Sequence, residues 1–148
     1  MFKNVLVVCA GNICRSPTGE YLLQQNLGSS SIRVRSAGLT ALVDHPFERN
    51  ALATLQRHGH QPHEHQARQL TPHLLQSADL VLVMEQRQLR NVLQLSPVSR
   101  GKTYLLGKWQ NEREIPDPYR QGSAAFEHAY ALIEESAQAW SRRLHPQH

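Results

Sequence analysis

The stretch Asn4-Val5-Leu6-Val7-Val8-Cys9-Ala10-Gly11-Asn12-Ile13-Cys14-Arg15-Ser16-Pro17 changes character twice. Asn4 to Val8 has the apolar, β-branched texture of a strand buried on both faces. Pro17 to Asn26 reads as a helix, with Pro17 near its first turn, where a missing N–H does no harm. Five residues separate Cys9 from Arg15 in the loop between. A loop of that length can curl until its backbone N–H groups converge on one point, making an anion nest at a helix N-terminus. Gly11 is expected to supply a backbone conformation closed to other residues, and Asn12 tolerates left-handed geometry while bracing the loop with its amide. Arg15 would close the ring with a planar fork suited to two phosphate oxygens. Amides, helix dipole and guanidinium all favour negative charge at Cys9, which is therefore expected to act as a thiolate.

Working outward, Asp79 to Met84 and Thr103 to Leu106 also read as strands buried on both faces, and Ile32 to Ser36 alternates like an edge strand. Phe47, Ala51, Leu52 and Leu55 fall at helical spacing up to a stop at His58-Gly59, and Gln86 to Leu95 forms a shorter helix closed by Ser96-Pro97. Phe126, Tyr130, Ile133, Ala137, Trp140 and Leu144 draw one apolar stripe along a last helix, a face for packing on the sheet rather than for a cofactor. Strands alternating with helices imply βαβ units, hence an α/β fold with a parallel sheet and helices on both faces. Ligand sites of such sheets lie beyond the carboxyl ends of the strands, where Cys9 stands.

A chain of 148 residues suits a single domain, 1–148. Its apolar runs fall far short of the roughly 20 residues a spanning helix needs, so no membrane insertion is expected. No signal-peptide pattern opens the chain, and a cytoplasmic location is expected. Only Cys9 and Cys14 are present, too few and too close for a disulfide framework. They imply chemistry, or one reactive thiol beside a buried structural one. The net charge of +4 comes from scattered basic residues without an aromatic-interleaved stripe, which argues against nucleic-acid binding.

Cys9-Ala10-Gly11-Asn12-Ile13-Cys14-Arg15-Ser16-Pro17 resembles the phosphate-binding loop of the low-molecular-weight protein tyrosine phosphatases, and Asp117-Pro118-Tyr119 resembles their acid loop. Ser36-Ala37-Gly38, His65-Gln66-Ala67-Arg68-Gln69-Leu70 and Met84-Glu85 extend the likeness over most of the chain. The resemblance implies a four-stranded sheet of order 2-1-3-4. It implies phosphotyrosine hydrolysis through a cysteinyl phosphate, with Cys9 as nucleophile, Arg15 and the loop residues Ala10, Gly11, Asn12, Ile13 and Cys14 around the phosphate, and Asp117 as general acid and then base. Ser16 would hydrogen-bond the thiolate. Asn12, Ser36 and His65 would brace the loop, and Leu42 and Tyr119 would wall the slot for the ring. No cofactor and no metal are implied. His58, His60, His63 and His65 crowd one stretch, but Gly59 and Pro62 make it a loop without a shared helical face. Leu42 and Arg120 match the bacterial branch, whose implied partner is a tyrosine autokinase of exopolysaccharide export. The nearest rivals are arsenate reductase, which needs relay cysteines this chain lacks after Cys14, and a non-catalytic phosphotyrosine-binding module or thiol redox sensor.

Overall fold

A computed structural model describes residues 2–145. Four parallel strands, β1 (Asn4–Cys9), β2 (Arg33–Gly38), β3 (Leu80–Val83) and β4 (Thr103–Leu105), lie in the order β2-β1-β3-β4. The helices are α1 (Arg15–Leu27), α2 (Arg49–Arg57), α3 (Pro72–Ser77), α4 (Gln86–Leu95) and α5 (Ser123–Leu144), with a 3-10 turn over Pro97–Lys102. Central β1 explains why its sequence is apolar without alternation. Val5, Val7 and Cys9 enter the core shared with α1 and α5, while Leu6 and Val8 enter the one shared with α3 and α4. Both faces are covered, so neither tolerates a polar side chain.

The stripe of α5 is buried along its whole length, from Phe126 to Leu144. Trp140 anchors it further, donating its indole N–H to Leu106 O at 2.8 Å. Each such large side chain contributes about 1.5–3 kcal/mol on burial, so the stripe holds the C-terminal helix against the sheet without any cap at Gly122.

Three sequence expectations shift. β4 ends at Leu105 and lies at the sheet edge; Thr103 and Leu105 are buried on one face, while Tyr104 on the other is only half-buried, packed on Trp140 and under the Lys108 ammonium. β2 starts at Arg33 and runs on to Gly38, because the Gln24 side chain takes Ile32 O and Val34 N at the edge while Gly38 pairs with Cys9 and Gln69. Helix α3 was not expected. Thr71 caps it through its hydroxyl, which accepts from Leu74 N, and Pro72 sits in its first turn. That Thr-Pro start was the available signal.

Candidate active site

β1 delivers Cys9 to the carboxyl edge of the sheet, and α1 begins at Arg15, so residues 10–14 make the turn between them. Every carbonyl of that turn is drawn outward. Ala10 O accepts from Thr40 N, Gly11 O from Leu42 N, Asn12 O from the His65 ring, Ile13 O from Glu48 N, and Cys14 O from Thr18. With the carbonyls turned out, the amides are turned in. Among the described residues none of the N–H groups of residues 11–14 is hydrogen-bonded within the protein. An inward ring of free donors at a helix N-terminus is an anion site by electrostatics alone.

The left-handed residue in this turn is Asn12, at φ 59°, and not Gly11, whose φ is negative and whose added Cβ would meet Ile13 and Leu42 at ordinary contact distance. The position in this neighbourhood that demands glycine is Gly38, where a Cβ would clash with Ala10 O. β2 must pass that close for Leu39 and Thr40 to reach the carbonyls of Cys9 and Ala10.

Asn12 is fully buried and spends its whole side chain on the brace. Its Oδ1 accepts from Arg68 N at 2.9 Å, which assigns the amide orientation, and its Nδ2 donates to Ser16 Oγ at 2.8 Å and Ser36 Oγ at 2.9 Å. Ser36 Oγ in turn donates a hydrogen bond to Glu20 Oε1 at 2.6 Å. Ser16 Oγ, already accepting from Asn12, has its hydrogen free for Cys9 Sγ at 2.9 Å, and a thiolate there can only accept. The Ser16 N–H also points at that sulfur, at 3.4 Å.

Arg15 is 3% exposed and is held from behind. One terminal amino group donates to Glu85 Oε2 at 2.5 Å and to Ile115 O at 2.8 Å. The other stands 3.8 Å from Asp117 Oδ2. Asp117 itself is half exposed, its Oδ1 accepting from Tyr119 N at 3.1 Å in a turn between Pro116 and Pro118. Ile115 ties the base of this loop to the end of β3 through Met84 O. Residues 9–15, Thr40, Leu42, Asp117 and Tyr119 line one cleft of about 220 Å³, with Leu42 and Tyr119 partly exposed at its mouth. Ser16, Ser36 and His65 stand behind it.

Cys14 differs from Cys9 in kind. It is packed with Ile13, Ala51 and Phe126, and burial, with Cys9 and Asp117 nearby, pushes its thiol up. The histidines disperse: His58 to Glu127 and the face of Tyr130, His60 to the Tyr130 hydroxyl, His65 to Asn12 O at 2.6 Å. Among the described residues no three His, Cys, Asp or Glu gather as a metal site.

The sequence from residue 4 to 148 matches the family model described as low molecular weight phosphotyrosine protein phosphatase. The chain belongs to that family. It is 44% identical over 143 residues to the low molecular weight protein-tyrosine-phosphatase Etp of Escherichia coli K12, covering 97% of this chain and 95% of that protein. Two solved structures superpose with a TM-score of 0.93: the tyrosine phosphatase Wzb of E. coli K30 with sulphate, 42% identical over 97% of this chain and 99% of that one, and Wzb of Vibrio vulnificus with benzylphosphonate, 44% identical over 97% and 100%. The protein is thus a protein-tyrosine-phosphatase, and its α/β sheet of order 2-1-3-4 is the family fold. No described helix is long and apolar enough to cross a membrane.

For this phosphatase, residue-by-residue reading missed Glu85, Glu20 and the role of Arg68. Glu85 and Arg68 lie within quoted motifs, yet only the fold shows what they hold. Glu20 had one weak signal, its place one helical turn after Ser16.

Proposed function

We propose that this protein hydrolyses phosphotyrosine in two displacements at Cys9. The observation that supports it most is the placement of Cys9 Sγ, hydrogen-bonded by Ser16, within a turn whose carbonyls all point away. A phosphoryl group seated there has its equatorial oxygens among the inward amides and the free edge of Arg15. Cys9 thiolate attacks phosphorus as the bond to the tyrosyl oxygen breaks, and Asp117, across the same cleft, gives that oxygen its proton. Water then attacks the cysteinyl phosphate, Asp117 takes back a proton, and the P–S bond breaks to return the thiolate. The Ser16 hydroxyl steadies that thiolate as it leaves. Leu42 and Tyr119 at the mouth suit the faces of an aromatic ring. All the charge stabilisation named here comes from fixed donors.

The protein substrate proposed is a bacterial tyrosine autokinase of exopolysaccharide export, met in the cytoplasm by the single domain 1–148. Resemblance in Ser36-Ala37-Gly38, Leu42 and Asp117-Pro118-Tyr119-Arg120 supports this, and so do relatives named Wzb and Etp. Release of phenol from phenyl phosphate in the presence of a strong chelator tests the chemistry, and no release would sink it. Loss of phosphotyrosine from the purified autokinase, with none from unrelated tyrosine-phosphorylated proteins, tests the partner.

A further inference from the structure

Arg33, Arg35 and Arg68 look scattered in the sequence, and the fold gathers them around one groove of about 100 Å³ floored by Leu6, Leu74 and Ala78. The groove lies toward the N-terminal ends of the strands, away from the Cys9 cleft, with Arg33 in register with Asn4 and Arg35 with Leu6. Arg33 and Arg35 alternate with buried Val34 and Ser36, so both project from one face of β2. Arg68 is positioned rather than loose. Its Nε donates to Ser36 O at 3.0 Å and its backbone N–H to Asn12 Oδ1.

Among the described residues no carboxylate reaches ion-pair distance of any of these three guanidinium groups. The nearby acids are engaged elsewhere: Glu20 takes the Ser36 hydroxyl, and Asp79 takes the N–H groups of Lys3 and Asn4. Burial and the charge of Arg35 press on the Arg68 guanidinium and lower its pKa, with the Glu20 carboxylate offsetting part of that effect. Three like charges around a small, partly apolar groove repel one another, and a bound polyanion relieves that repulsion.

We propose that this groove is a second anion site, which takes a ligand carrying at least two adjacent phosphates. Three planar forks can share oxygens on two phosphates, whereas one phosphate offers too little charge to offset all three. The source is a free condensed phosphate or the diphosphate end of a nucleotide.

The test maps backbone amide shifts of the full chain during titration with pyrophosphate and, separately, with a nucleoside diphosphate and with poly-glutamate. Pyrophosphate should move two sets of amides, those of the loop at residues 10–15 and those around Arg33, Arg35, Arg68 and Ser77. In the Arg33→Ser/Arg35→Ser variant the groove set should need on the order of tenfold or more ligand per arginine removed, while the loop set titrates as before. That loop set also reports that the variant is folded. Tighter binding of the nucleoside diphosphate at the groove assigns the apolar floor to the nucleoside, and equal binding assigns the site to condensed phosphate. Shifts confined to the loop, or groove shifts unchanged in the variant, overturn the proposal. So do groove shifts given only by poly-glutamate, which would make the groove a contact for an acidic protein.

Discussion

The two halves of the active-site cleft are built to different standards. The cradle at residues 9–15 is buried apart from half-buried Ala10 and Gly11, and its carbonyls, the Asn12 amide and the back of Arg15 are all hydrogen-bonded to surrounding elements. The Asp117–Tyr119 turn across from it exposes both Asp117 and Tyr119 and is held by one side-chain-to-backbone bond, one backbone bond from Gln121 N to Pro118 O and two prolines. Charge on a phosphate must be met by donors that do not reorganise, so the cradle is rigid. An acid that gives up a proton and later takes one back needs access to the leaving group and then to water, so its loop is open. Rigidity is concentrated where charge is held, and exposure where protons and water move.

The largest effect should come from the cradle. Cys9→Ser is expected to fold normally and lose turnover, because a hydroxyl without a base is a poor nucleophile near neutral pH. More than a few per cent of wild-type activity on an aryl phosphate would break the mechanism. Arg15→Lys should be nearly inactive as well, since a point charge replaces neither the fork nor its simultaneous hold on Glu85 and Ile115.

Asp117→Asn comes next, and it should separate the halves. Single-turnover hydrolysis of phenyl phosphate should fall by about 10²–10⁴-fold, and that of para-nitrophenyl phosphate by much less, because nitrophenolate leaves without a proton. The thermal midpoint should barely move, as the side chain is half exposed. Equal losses with both leaving groups would make Asp117 a shaper of the turn and not the acid.

Asn12→Ala should do what Asp117→Asn does not. It leaves the Arg68 N–H without its acceptor, a loss of roughly 1–3 kcal/mol for an unsatisfied donor, removes a donor from the Ser16 and Ser36 oxygens, and should lower stability and turnover together. Unchanged stability in a denaturant titration would show the brace to be ornamental.

The two cysteines offer a subtler contrast. Peroxide should inactivate the enzyme at Cys9, and reductant should restore it if Cys14 captures the oxidised sulfur as a disulfide. Burial keeps the Cys14 thiol protonated, so that capture should be slow. Equal recovery of Cys14→Ser and wild type after the same exposure would leave Cys14 as a packing residue.

The smallest effect lies at the opposite end of β1. Asp79 Oδ2 accepts from Lys3 N at 2.7 Å and Asn4 N at 2.8 Å, and these bonds hold its carboxyl below the usual range. A depressed folded-state value stabilises the fold above the unfolded-state value, near 3.9, and the gain is lost as pH falls through the folded one. Asp79→Asn should therefore lower stability at pH 7 by under about 1 kcal/mol, given its exposure. The gap to wild type should close in acid, and a gap that widens there would assign the effect to something other than ionisation.

Local chemistry was enough to read much of this. An unbroken apolar β1, a proline-led helix after it and a five-residue spacer between Cys9 and Arg15 each have one economical physical meaning, and together they place an anion site at a strand end. The stripe of α5 was as legible, since helical period and burial coincide at every position. Other features depend on which elements meet. Gly11 looked like the conformational specialist because glycine is permissive, yet the constraint falls on Gly38, where a neighbouring strand passes within van der Waals reach of Ala10 O. Thr103 to Leu106 reads as a buried strand and is largely so, but only the strand order makes β4 an edge. Glu85 behind Arg15, Glu20 behind Ser36 and the convergence of Arg33, Arg35 and Arg68 join residues as many as 70 positions apart. Periodicity and propensity report on a residue's own neighbours in the chain. Which charge stands against which across the sheet is decided by packing, because burying the apolar faces of β1 and its helices contributes far more than an exposed ion pair and so fixes those positions.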